Sequence, residues 1–451
     1  MKYPILSIKK FGKIEKADIE LSPLTLFVGD NNSGKSYLLS LIWGILDAYN
    51  NREYLFKLND IIINDDIYKK CLDIIKNIEK EYELSNDDLR FFVELYNLFL
   101  KHNKDELIKY IFGNNISKIK IEEIKLKFIF ENESKISISK EEIPIKNQMQ
   151  FSVKGKGLTG FVRYEIGENI DNKINSFVGI FVILILNLFD LYDIDNIFLP
   201  TSRTGFILSY KKLAANTIED DFEITNNNKD QNSSSFTRPI VKFINRLLLL
   251  EKNDNDNDYN KKLISFIENN VIYGKLYLDS ETKNVYYRPF DNDIEFSMNI
   301  SSAVITEISP LYLFLKYNVI DVNIFIEEPE ISLHPELQQK IAQLLIQMVN
   351  YKKNIFITTH SDTIVQHINN MISLYHNSEE NKKNFFKKYH YSNKDIINED
   401  KIRMYQFDVN KQTLKTEIKE LKSSQYGFEL PTFNGVLKNI HNEIIDFHAD
   451  I

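Results

Sequence analysis

Cysteine is nearly absent: Cys71 is the single one in 451 residues. An internal disulfide and a thiolate zinc site are both excluded, and the chain reads as one of a reducing compartment, the cytoplasm. Long hydrophobic runs are missing too. The most apolar stretch, Phe177 to Phe189, is interrupted by Asn187 and falls short of the ~20 residues that a membrane-crossing helix needs, so a buried core helix is expected and no membrane partner. The opening residues MKYPILSIKKFGKIEKADIE are charged throughout and lack the apolar core and small-residue cleavage site of a secretory signal. There is no internal repeat and no long uninterrupted heptad pattern, which argues against an extended coiled-coil arm. Neither sign of charge dominates. The 56 Lys and Arg against 64 Asp and Glu leave −8, an average that argues against a generally DNA-coating protein yet allows a local basic channel.

What is present is globular. Hydrophobic residues at 43% and charged residues at 27% exclude a wholly disordered or collagen-like chain. The length suits roughly two to three domain-sized units with a sizeable core. Short β-like runs (Ile5–Ile8, Ile19–Leu21, Leu24–Val28) lead into a glycine-containing loop and a helical pattern from Tyr37 to Tyr49, the opening of an α/β domain. Helical spacing continues from about residue 52 to 111, with Ser85 and Asp88 placed for a capping box. The period then changes to two. Lys118, Lys120, Lys125 and Lys127 alternate with Ile119, Ile121, Leu126 and Phe128, as in half-buried antiparallel strands. The Asn- and Asp-rich stretches Asn226–Ser235 and Lys252–Asn260 read as exposed loops. Strand, helix and strand return between Ile320 and Ile357, again in the manner of a parallel α/β sheet. Each α/β half alone offers too few strands, so the two are expected to form one nucleotide-binding core interrupted by a large insertion.

Three motifs carry chemistry. Gly29-Asp30-Asn31-Asn32-Ser33-Gly34-Lys35-Ser36, ahead of Tyr37, matches G-x-x-x-x-G-K-[ST] between the apolar strand LTLFV and a helix. Its glycines let backbone N–H groups converge on phosphate oxygens at a helix N-terminus, Lys35 can reach the β and γ phosphates, and the Ser36 hydroxyl can ligate Mg²⁺. The second motif, Asn323 to Glu330 (NIFIEEPE), is an apolar strand ending in carboxylates. There Glu327 would enter the Mg²⁺ shell and Glu328 would polarise the attacking water. The third is the strand NIFITT ending at His360, placed to sense the γ-phosphate. A glycine turn without a ligand, a solvated acidic strand end and a structural histidine are the plainer alternatives for the three.

The order of these motifs resembles ABC-type ATPase heads, in particular the AAA-family branch that holds the OLD nucleases and related anti-phage ATPases, among them the ATPase subunits of PARIS defence systems. The resemblance is carried by residues 1–36, by FLPTSRTGFIL (Phe198–Leu208), NISSAVITEISPLYLF (Asn299–Phe314), FIEEPEISLHP (Phe325–Pro335) and ITTHSDTIVQHINNMI (Ile357–Ile372). It implies an α/β fold, an ABC-type P-loop head with a mixed sheet flanked by helices and a large inserted helical and β-hairpin region. Residues 1–50 and 296–375 would form the nucleotide-binding core. Residues 51–295 would form the inserted lobe, with 190–210 returning to the core, and 376–451 a C-terminal α/β extension in which a strand pair and a helix complete the fold or offer a docking surface.

The resemblance also implies a head-to-head dimer, alone or within a higher oligomer, that sandwiches two ATPs between the phosphate loop of one copy and a signature segment of the other. The signature falls on Ser301 and Ser302, although Ala303 stands where a glycine is usual; a simple helix cap at Ser301 is the alternative. His334 and Pro335 match the segment that crosses the dimer interface. Glu327 replaces the usual Asp, one methylene shorter, and no glutamine is assigned to Mg²⁺. Arg203 either stands near the nucleotide or braces a strand end.

The expected function is an ATPase, with ATP and Mg²⁺ as cofactors, that controls a separate nuclease when a phage trigger protein is sensed. The stretch after His360 is too short for a Toprim nuclease domain. The alternative is an ATPase of DNA repair or chromosome maintenance resembling RecF or SMC proteins. For that reading, the run from Lys382 to Tyr391 (KKNFFKKYHY) interleaves cations and aromatics that could hold nucleic acid, or else forms a solvated face. A membrane-transporter ATPase is a weaker reading still, for want of L-S-G-G-Q.

Overall fold

The structure is a computed structural model. It describes residues 3–48, 69, 70, 73, 81–113, 119–130, 136–143, 148–155, 158–165, 191, 196–224, 236–251, 257–317, 319 and 322–429. The expected core helix at Phe177–Phe189, the loop Asn226–Ser235 and the helical end of the tail lie outside these residues. Among the described residues no helix is long and apolar enough to cross a membrane. The contacts divide the chain into two units, Met1–Leu21, Ser40–Asn196 and Ser233–Arg238 in one, and Ser22–Leu39, Ile197–Asn232 and Pro239–Ile451 in the other.

In the first unit, β1 (Ile5–Phe11), β2 (Ile14–Glu20) and β5 (Glu123–Lys127) form an antiparallel sheet in the order β5-β1-β2. The register sets Leu6 opposite Ile19 and Leu126, and Ile8 opposite Ala17 and Ile124, so every residue of this face is buried. Lys125 and Lys127 point the other way, as the alternation requires. The strand begins only at Glu123, so Lys120 falls before it, and Lys118 lies outside the described residues. A second antiparallel sheet runs β4 (Glu81–Glu83), β6 (Ile136–Ile143), β7 (Gln148–Gly155), β8 (Leu158–Glu165).

Helix α2 (Asn86–His102) opens with the expected box: Ser85 Oγ accepts the Asp88 N–H at 3.2 Å, and Asp88 Oδ2 accepts the Ser85 N–H at 3.0 Å. Helix α3 (Lys104–Phe112) lies against the later turns of α1 (Lys35–Asp47), where a Cβ on Gly44 would meet Ile111 Cδ1 at 2.3 Å. Trp43, fully buried, donates its indole N–H to Asn196 O at 3.0 Å.

The second unit holds a six-stranded run of mixed sheet with β3 (Leu24–Gly29) near its middle. The order is β16 (Thr416–Leu421), β15 (Ile402–Val409), β3, β14 (Asn354–Thr358), β13 (Asn323–Glu327), β9 (Ile197–Leu199). From β15 to β9 all pairs are parallel, and β16 turns back antiparallel. Residues of β14 are buried without exception, those of β3 and β13 all but the last. That pattern requires cover on both faces, hence continuous Val, Ile, Leu and Phe in place of alternation. Phe325 stacks on Phe356 at 4.7 Å, and Phe27 meets Phe407 edge-on at 5.6 Å.

Parallel pairing has one consequence for function: the C-terminal ends of β3, β13, β14 and β9 all open at the same edge, where α/β sheets bind ligands. Helices α4 (Arg203–Ile224), α6 (Asp258–Ile267), α7 (Ala303–Lys316), α8 (Pro335–Asn350), α9 (Asp362–Tyr375) and α10 (Glu379–Tyr389) complete this unit, with α5 (Arg238–Leu248) entering it at Pro239. The loop expected through Asn260 ends earlier, because the Asn257 side chain accepts the Tyr259 and Asn260 N–H groups and starts α6. Pro310 sits inside α7; the Thr306 carbonyl it leaves without an N–H is taken by the Ser309 hydroxyl at 2.9 Å.

Candidate nucleotide site

The loop after β3 is shaped by backbone that only particular residues adopt. Gly29 has φ +115° and lies so close to β15 that a Cβ would stand 2.3 Å from Phe407 O. Gly34 has φ +98° and Asn32 φ +56°, the left-handed region open to glycine and tolerated by asparagine. The loop is also held from outside. The Asp30 N–H donates to Phe407 O at 3.0 Å, Asp30 Oδ2 accepts the Val409 N–H at 2.9 Å, and Thr416 Oγ1 donates to Ser33 O at 2.8 Å. The hairpin β15–β16 thus fixes the loop, and the Asp30 carboxylate serves that tether.

Helix α1 then begins at Lys35, without an acidic residue in its first turn. Lys35 folds back so that Nζ donates to Asp30 O at 2.6 Å, Gly29 O at 3.1 Å and Ser33 Oγ at 3.4 Å. Only 5% of Lys35 is exposed, and burial pulls its amine down to about 8, against the charges of Glu328, Asp30 and Glu330. Ser33 is buried, Ser36 half-buried, Asn31 and Asn32 exposed, and Tyr37 48% exposed.

At the end of β13, Glu327 and Glu328 have different surroundings. Glu327 Oε2 accepts the Thr201 N–H and Oγ1–H, both at 3.0 Å. Glu328 adopts φ +44°, unusual for a residue with a Cβ; its N–H donates to Thr358 O at 2.9 Å and its carbonyl accepts Arg203 Nη2 at 3.0 Å. Arg203 Nη1 also donates to Glu327 O at 2.7 Å and Pro200 O at 3.1 Å. Arg203 is therefore the brace of the strand end.

Glu330 holds the next strand: Oε1 accepts the His360 N–H at 2.6 Å and Oε2 the Thr359 hydroxyl at 2.9 Å. Burial raises the Glu330 pKa, and these bonds oppose the rise. His360 is half-buried; burial, then the Lys35 charge, lowers its pKa, and the Asp30 charge opposes the shift. Lys35, Glu328 and His360 thus come together around the loop, with Asp30 and Glu330 close enough to act on them electrostatically.

Ser301 and Ser302 stand apart. Ser302 is the exposed N-cap of α7 and its side chain makes no cap bond, whereas the Ser301 hydroxyl donates to Ser297 O at 2.9 Å. Neither hydrogen-bonds to a phosphate-loop residue, and Ser301 is not the cap. His334 is the exposed N-cap of α8, with Pro335 in the first helical turn.

The donor set fits a nucleoside triphosphate: a helix N-terminus, a buried ammonium and a half-buried hydroxyl on one side, carboxylates on the other. For Mg²⁺, Ser36 and the Glu327 oxygen not bonded to Thr201 are the available ligands. Among the described residues no group of three or more His, Cys, Asp or Glu could hold a metal by itself.

Thr201, Thr204, Glu307 and Thr358 carry the site's support without a motif to announce them. Residues 1–365 match the family described as AAA ATPase domain. The chain belongs to that family. No curated protein matches the sequence of this AAA ATPase. Solved structures similar to it include the SMC head domain from Thermotoga maritima (10% identity, TM-score 0.35, covering 94% of this chain and 100% of that one). Others are an SmcHead bound to the C-winged helix domain of ScpA (10%, 0.37, 93% and 98%) and an Smc head with an extended coiled coil bound to the C-terminal domain of ScpA derived from Pyrococcus furiosus (11%, 0.37, 98% and 100%). At these scores the likeness bears no functional weight.

Proposed function

We propose that this AAA ATPase binds and hydrolyses MgATP as an ABC-type head, pairs with a second copy of itself, and by closing and opening controls a separate effector. The reading is supported by one observation above all: Lys35, Glu328 and His360 converge on a phosphate loop at the carboxyl edge of a parallel sheet. In this reading the N–H groups of Gly29 to Ser36 bind the phosphates. Lys35 Nζ exchanges the carbonyls of Gly29 and Asp30 for phosphate oxygens. Ser36 and Glu327 would hold Mg²⁺, which would supply charge neutralisation when bound. The Glu328 carboxylate takes a proton from the attacking water, and the His360 ring orients the γ-phosphate. Ser301 and Ser302, at an exposed helix start, face the nucleotide of the partner copy.

On its motifs we read the chain as resembling AriA, the ATPase subunit of PARIS systems, and the effector would then be a nuclease on another polypeptide, released or activated by a phage trigger protein. The second reading, a RecF- or SMC-like ATPase acting on DNA, draws on α10, no residue of which is buried and whose Lys383, Lys387, Lys388 and Tyr389 are exposed. ATPase activity stimulated by DNA alone and lost with salt would favour it.

The test is ATP turnover. Lys35→Ala should abolish it, and Glu328→Gln should retain ATP binding with turnover reduced at least about a hundredfold. Unchanged turnover in either variant would remove the corresponding assignment.

A further inference from the structure

We infer that Arg203 and Glu307 form a positioning pair that holds the Glu328 peptide in place for hydrolysis and ties it to the start of α7; the inference rests on the reading of Glu328 as the base. Glu328 sits in left-handed backbone, a conformation that a non-glycine residue keeps only when its surroundings over-determine it. Its surroundings do so from two sides. Thr358 takes the N–H through its carbonyl at 2.9 Å and its hydroxyl at 3.3 Å. Arg203 takes the carbonyls of both Glu327 and Glu328 with one planar fork, at 2.7 and 3.0 Å. A guanidinium suits this because its N–H groups are rigidly spaced, which a lysine ammonium cannot copy.

That fork has a counter-charge in Glu307. Arg203 Nη2 lies 2.6 Å from Glu307 Oε1, with the two side chains 4% and 1% exposed. The Thr204 hydroxyl donates to Glu307 Oε2 at 2.5 Å and so sets the carboxylate's rotation. A buried ion pair contributes little net stability, since desolvation of both charges offsets their attraction, but removing one partner leaves the other charge uncompensated. The pair's effect is thus geometric. Glu307 belongs to the second turn of α7, the helix capped by Ser302, and Thr306 beside it bonds back to Ala303 O at 3.0 Å. A route of contacts therefore runs from the exposed helix start through the Glu307–Arg203 ion pair to the peptide that aims Glu328. Engagement of Ser302 by a partner copy's nucleotide would reach the base by this route.

The decisive experiment is a double-mutant cycle on steady-state and single-turnover ATP hydrolysis. Glu307→Gln should lower kcat about tenfold or more with KM for MgATP within about threefold, and it should cost nothing further in the Glu328→Gln background. Arg203→Lys should show the same split. Thr204→Val keeps both charges and serves if Glu307→Gln does not fold; it should lower kcat about two- to fivefold. Unchanged kcat, a rise in KM alone, or an equal loss in the Glu328→Gln background would overturn the pair's role. Failure of the underlying site is distinguishable: it would appear as turnover insensitive to Lys35→Ala or Glu328→Gln, whereas turnover that needs both but ignores Glu307 and Thr204 sinks only this inference.

Discussion

Lys35 should make nucleotide affinity a function of pH above neutrality. Burial lowers its amine to about 8 from an ordinary 10.5, with the charges of Glu328, Asp30 and Glu330 opposing the shift. If the ammonium is the form that binds a triphosphate, the competent fraction is about 90% at pH 7 and about 10% at pH 9, so MgATP affinity should fall about tenfold, or 1.4 kcal/mol, across that interval. The sign is fixed by the direction of the shift: the free protein loses a proton that the complex must regain, so binding takes up a proton above pH 8. Titration of the Glu328→Gln protein with MgATP at several pH values, in buffers of different ionisation enthalpy, measures both effects without hydrolysis. That variant also removes the first of the charges opposing the shift, so its affinity should begin to fall at a lower pH than that of the wild-type chain, measured with a non-hydrolysable analogue. Lys35→Arg, charged throughout, should show whatever affinity it retains without pH dependence. Equal affinities at pH 7 and 9 in the wild-type chain would refute the reasoning.

Gly29→Ala should destabilise the protein by about 3 kcal/mol in denaturant unfolding, because a Cβ there meets Phe407 backbone at 2.3 Å on a backbone with φ +115°; a loss under about 1 kcal/mol would mean that β15 yields. Ser302→Arg should leave ATP binding by a single copy intact while blocking pairing and turnover, as read by analogue titration and ATPase assay, and retained turnover would count against the signature placement. Ser85→Ala, which removes the hydroxyl that caps α2, should cost about 1 kcal/mol with no change in ATP affinity.

Local patterns in the chain marked the parts of this site whose residue types are forced. A loop that turns backbone amides onto phosphate needs glycine at the positions of Gly29 and Gly34, and strands covered on both faces need the apolar runs LTLFV, NIFIE and NIFIT. The cap at Ser85 and the alternation of Lys125, Leu126 and Lys127 were legible for the same reason, since each is a contact within a few residues or a strict period of two. Of the site's support only Arg203 was, as a residue that either stands near the nucleotide or braces a strand end. Arg203 and Glu307 are far apart in sequence and join no periodic pattern; only the packing of α4 beside α7 brings them to 2.6 Å. Thr201, Thr204 and Thr358 are ordinary residues whose hydroxyls matter because of the strand ends they face. The strand pair in the tail was visible in the alternation of YQFDV and TEIKEL, but its place beside β3, holding Asp30 and Ser33, comes from sheet pairing that no local signal encodes.

The claim that nucleotide is held between paired copies is tested most directly by the mass of the Glu328→Gln protein in solution, measured by light scattering with and without MgATP. The account predicts a mass that doubles when MgATP is added and reverts when Mg²⁺ is chelated and the nucleotide is removed. ATP bound at full occupancy with no change in mass would contradict it.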